Sequence, residues 1–78
     1  QPILCISASL KKPTPIADVY RHIITHNSIV SNNVYVQCNA YNEYSEPVDI
    51  KGYIDNFKIN LLTTTALDLT ATIVLYKK

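Results

Sequence analysis

A chain of 78 residues with a net charge of +1 at pH 7 is expected to make a single domain, 1–78, and to bury only about 60% of its unfolded surface, so its core alone leaves stability marginal. Its seven basic residues are scattered, with Arg21 the single Arg, which argues against nucleic acid as a partner because counterion release needs clustered Lys and Arg. No apolar run approaches the length of a membrane span, and the single glycine, Gly52, rules out a glycine-rich phosphate cradle.

Val, Ile and Thr make up 23 of the 78 residues, beside six Tyr and two Glu. That balance favours pleated strands. The expected fold is mainly β: a small antiparallel sheet or sandwich of four to six strands, with one disulfide and one short helix near 15–26 that would make it α+β.

In chain order, Leu4, Ile6, Ala8 and Leu10 alternate with Ile3, Cys5, Ser7 and Ser9, the pattern of a half-buried strand. Cys5 falls on the more polar parity, from which it could reach across a sheet edge. A loop follows over Lys11 to Pro15. From Thr14 to Asn27 the apolar residues Ile16, Val19, Tyr20, Ile23 and Ile24 fit helical spacing, with Thr14 as N-cap, Pro15 in the first turn and Asn27 at the end. The β-branched content and a turn at Asn27-Ser28 leave a hairpin strand open as the alternative.

The next strand runs from Val34 to Tyr41, with Val34, Val36, Cys38 and Ala40 on the apolar side and Tyr35, Gln37, Asn39 and Tyr41 on the other. A loop spans Asn42 to Pro47. The run from Val48 to Leu61 changes parity between Ile50 and the set Phe57, Ile59, Leu61, which predicts a bulge or bend near Gly52 to Asn56. After a loop over Leu62 to Thr65, the clearest alternation places Leu67, Leu69, Ala71, Ile73 and Leu75 toward the core.

The chain holds no methionine and begins Gln1-Pro2-Ile3, so removal of a preceding signal peptide is expected. Two cysteines in strand-like runs then predict a secreted domain, extracellular or periplasmic, closed by a Cys5–Cys38 disulfide. Such a bridge would stabilise the fold by about 3 to 4 kcal/mol in the chain-entropy account. No Asn-x-Ser/Thr sequon occurs, so N-glycosylation is not expected.

His22 and His26 form the sharpest chemical spacing, since on a helix they share one face with Asp18 a turn earlier. Ile23 stands where a zinc-protease helix needs its general-base Glu, and on a strand the two histidines lie about 13 Å apart. No metal or cofactor is therefore expected, and the histidines are read as a solvated polar face with Asp18 near His22. The acids show no spacing that recommends a catalytic pair, so no enzyme is expected.

The tyrosines are more suggestive. Tyr35, Gln37, Asn39 and Tyr41 share a strand face, and Tyr44 follows in the next loop; Tyr offers broad contact at low entropic cost, and amides offer adaptable hydrogen bonds. Half-exposed strand positions also suit Tyr for structural reasons. The leading expectation is a small secreted non-enzymatic binding protein, an effector, toxin component or inhibitor, acting through protein contacts. A carbohydrate-binding or adhesive module and a small metal-dependent hydrolase are the alternatives.

Overall fold

The computed structural model describes residues 2–12 and 18–78. These form seven strands and no helix: β1 (Pro2–Leu10), β2 (Tyr20–Ile24), β3 (Val34–Asn42), β4 (Pro47–Val48), β5 (Ile50–Asp55), β6 (Lys58–Thr63) and β7 (Leu69–Lys77). A four-stranded sheet has the order β1-β7-β3-β4, a three-stranded sheet the order β2-β6-β5, and every pairing is antiparallel.

The inner faces share one core. Leu69, Ala71, Ile73 and Leu75 of β7 are buried, together with Leu10, Ala40 and, from the second sheet, Ile59 and Leu61. Alternation along β1, β3 and β7 runs as the sequence predicts, because one side of a pleated strand must bury its apolar set while the other stays outside. Leu67 lies just before β7 and is only partly buried.

Beyond the strand count, seven among the described residues against the expected four to six, three expectations of the fold need correction. The helix near 15–26 is not present over its described part: residues 20–24 are β2, paired with β6 from Tyr20↔Thr63 to Ile24↔Ile59, while residues 15–17 lie outside the described residues. The helical stripe is split by the pleat. Val19 and Ile23 are each 56% exposed, whereas Tyr20 and Ile24 turn toward the second sheet's buried column. β-branched residues lose rotamer freedom in a helix and little in a strand, and β6 supplies the partner.

The change of parity between Ile50 and Ile59 comes from a complete chain reversal at Asn56-Phe57 rather than from a bulge or bend over Gly52 to Asn56. Asp55 pairs with Lys58 across the two-residue turn Asn56-Phe57, so even-numbered residues of β5 face odd-numbered residues of β6. Both turn residues have positive φ, 54° and 60°, as a type I′ hairpin turn requires.

The disulfide is also absent. Both cysteines are free thiols. Cys5 of β1 pairs with Val74 and Cys38 of β3 with Ile73, so β7 lies between them and their Cα atoms are two strand spacings apart, about 9 to 10 Å. Val74 points outward and Ile73 inward, which puts the two thiols on opposite faces of the sheet as well. A bridge needs Cα atoms within about 7 Å and converging Cβ vectors.

Candidate functional site: the outer face of the four-stranded sheet

The strand register assembles a continuous outer surface on β1, β7 and β3. Across it run the rows Cys5–Val74–Gln37, Ser7–Thr72–Asn39 and Ser9–Thr70–Tyr41, with Tyr76 beside Tyr35 at one margin. Not one of these side chains is charged. The outer face of the other sheet differs: Arg21, Lys51, Asp55 and Lys58 share it with Ile23, Tyr53, Asn60 and Leu62.

Four of the residues singled out in the sequence therefore lie together on one exposed face: Tyr35, Gln37, Asn39 and Tyr41. Tyr35 and Tyr41 are 49% and 50% exposed, and six residues of extended strand set them about 20 Å apart. Their roles differ. The Tyr35 ring stacks on Tyr76, centroids 5.0 Å apart and planes 14° from parallel, so part of its surface serves the sheet. Tyr41 has no such ring partner among the described residues.

Tyr44 stands beyond the strand, in the β3–β4 turn, and is 68% exposed. Asn42 organises that turn: its Oδ1 accepts from the backbone N–H groups of Tyr44 and Glu46 at 2.9 and 3.0 Å, and its Nδ2 donates to Glu46 Oε1 at 3.0 Å. Ser45 completes the reversal at φ 63°. An Asn side chain that replaces backbone partners in this way holds a short loop in one shape.

The β3 column of this face is legible in the sequence, whereas the β1 and β7 columns are not. Ser7, Ser9, Thr70, Thr72 and Tyr76 carry no motif. Their membership follows from register, and only the alternation of each strand hinted that they point outward.

The histidines occupy different surroundings from those expected. His22 pairs with Leu61 across the β2–β6 ladder and shares its inward face, so it is not part of a solvated polar face. Its Nε2 is buried and has no hydrogen-bond partner among the described residues, and burial pushes the imidazole pKa below its ordinary value. His26 lies after β2, where its Nδ1 accepts from the Ser28 N–H at 3.1 Å. Among the described residues no three His, Cys, Asp or Glu side chains converge as metal ligands. No helix among the described residues is long and apolar enough to cross a membrane.

No protein-family model matches the chain, no curated protein matches it, and no solved structure matches it.

Proposed function

We propose that the chain is a non-enzymatic recognition module that binds a protein partner through the outer face of the β1-β7-β3 sheet. The observation that carries this reading is the absence of charge from the rows of a face bounded by tyrosines. Protein interfaces are depleted of charge at their centre and enriched in Tyr, because a buried charge must be desolvated and a Tyr side chain buries area while keeping a hydroxyl for hydrogen bonding. The partner that suits it is uncharged at its centre and rich in hydrogen-bonding groups, matching the Ser, Thr, Asn and Gln rows. Secretion has lost the bridge that argued for it, and the reading stands on this surface alone.

A photo-crosslinking residue at Asn39, compared with one at Lys51 on the other sheet, tests the assignment. Asn39 should capture a defined protein, Lys51 should not, and Tyr41→Ala should weaken that partner's binding by about 1 to 3 kcal/mol while leaving the melting temperature nearly unchanged. Equal capture from both faces, or affinity indifferent to Tyr41→Ala, would reject the reading. Saturable binding of an oligosaccharide that is lost in Tyr41→Ala would replace the protein partner with a sugar.

A further inference from the structure

At the end of the molecule where β1 begins and β7 finishes, a groove of about 250 Å³ lies between the four-stranded sheet and the segment 28–33. Ile3, Leu4, Ile29, Val34 and Leu75 line it, and Lys77 stands in the same lining. The groove is distinct from the outer face proposed above, since Leu4, Val34 and Leu75 belong to the inward parity.

Two features of the fold build this site. In a regular strand Ile3 and Leu4 point to opposite faces, yet both line the groove. The reason is a register shift: Pro2 pairs with Tyr76 but Leu4 with Leu75, so β1 carries one extra residue at Ile3. Such a bulge re-aims a side chain. Here it brings an otherwise outward isoleucine, 52% exposed, to the groove.

The second feature is Lys77. It continues the inward column Leu69, Ala71, Ile73, Leu75 and lies opposite Val34, so strand parity sets a cation at the mouth of an apolar channel. Lys77 makes no ion pair among the described residues. The wall formed by residues 28–31 is held from several sides. Ile29 N donates to His26 O at 3.1 Å, Phe57 N to Asn32 Oδ1 at 3.0 Å, and Lys78 N to Asn33 O at 3.2 Å.

We propose that this groove binds a small monoanionic amphiphile, a single aliphatic chain lying along Ile3, Ile29 and Leu75 with its acidic head group on the Lys77 ammonium. The groove is smaller than the roughly 300 to 1,000 Å³ that takes drug-sized ligands, which suits one short chain rather than a ring system. Apolar walls bind the tail by removing it from water, and one unpaired ammonium selects the sign of the head group.

Calorimetric titration with decanoate, decanol and decylammonium, all below their aggregation limits, tests the site, with amide shift mapping by NMR. Decanoate should bind one to one and shift Leu4, Ile29, Val34 and Leu75, with decanol about threefold to tenfold weaker and decylammonium weaker still. Lys77→Gln should lower decanoate to the level of decanol and leave decanol unchanged. Ile3→Asp should abolish both at an unaltered melting temperature; should that variant not fold, Ile3→Ala should weaken decanoate and decanol by the same factor. The proposal is overturned by the absence of saturable decanoate binding, by equal affinity for all three head groups, or by shifts confined to another surface. Binding to vesicles containing an anionic phospholipid without binding to decanoate would equally overturn it, in favour of a membrane-docking end.

Discussion

The His22 imidazole lies on the inward face of β2 opposite Leu61, with Nε2 buried and unpaired among the described residues. A buried polar atom without a partner costs about 1 to 3 kcal/mol. Burial also disfavours the imidazolium, so the folded pKa sits below the ordinary value of 6.5. Below pH 6.5 the unfolded chain takes up a proton that the native protein declines, and stability falls with pH until the folded pKa is passed. His22→Leu is expected to raise stability by about 1 kcal/mol at neutral pH and to flatten the decline below pH 6.5. Thermal melts from pH 8 to 5 measure both effects, and an unchanged slope would place the acid sensitivity in other groups. The cysteines make a second test. Cys5 is exposed, whereas Cys38 is half-buried, donates weakly to Ile50 O at 3.8 Å, and has its thiol pKa raised by burial. The thiolate is the reactive form. An aromatic disulfide reagent should therefore label Cys5 rapidly in the native protein and Cys38 slowly, with the slow phase accelerating in denaturant. Loss of the fast phase in Cys5→Ser identifies it, and an intact mass lower by two hydrogens would contradict the free thiols.

The hairpin of β5 and β6 shows how an element can be half legible. Its apolar periodicity is readable in the sequence, including the change of parity after Ile50, which by itself fits a bulge or bend; Asn56-Phe57 lacks the glycine that marks a type I′ turn. Phe57 takes φ 60° there and remains 50% exposed. A side chain in that region costs about 1 to 2 kcal/mol, and glycine returns part of the gain through a freer unfolded chain. Phe57→Gly is thus expected to stabilise the protein by about 0.5 to 1 kcal/mol, read as a higher urea midpoint at constant slope. A loss of that size would mean that the Phe57 ring contributes packing that outweighs the strain. The edge strand β2 is ambiguous between helix and strand in the sequence for a related reason. Over five residues, apolar spacing of three and four is compatible with a helix, and only the presence of β6 alongside decides that alternate side chains turn inward.

The two sheets meet most closely where β5 passes β3. A Cβ placed on Gly52 would lie 2.7 Å from Val36 Cγ1, 3.1 Å from Leu61 Cδ2 and 3.2 Å from Cys38 Sγ. Val36 is β-branched and has few rotamers in which to withdraw. Gly52→Ala should consequently cost about 1 to 3 kcal/mol through overpacking, measured by chemical denaturation. Double substitution with Val36→Ala should recover part of that loss, and full tolerance of Gly52→Ala alone would show that the sheets can separate freely.

Within this architecture, the sequence by itself determined which strands are amphipathic and which of their faces is inward. Alternation is a local property: Leu69 to Leu75 and Val34 to Ala40 carry it in their own order, and the pleat converts it directly into inside and outside. It also placed Tyr35, Gln37, Asn39 and Tyr41 on a common face. It even held the sign against the disulfide, since Cys5 and Cys38 sit on opposite parities of their strands. Tertiary structure alone decided which strands are neighbours. The insertion of β7 between β1 and β3 separates the two thiols, completes the uncharged face with Ser7, Ser9, Thr70 and Thr72, and carries Lys77 to the mouth of the groove beside Ile3. Each of these joins residues dozens of positions apart, and their meeting depends on the burial of all the strands at once rather than on any local preference.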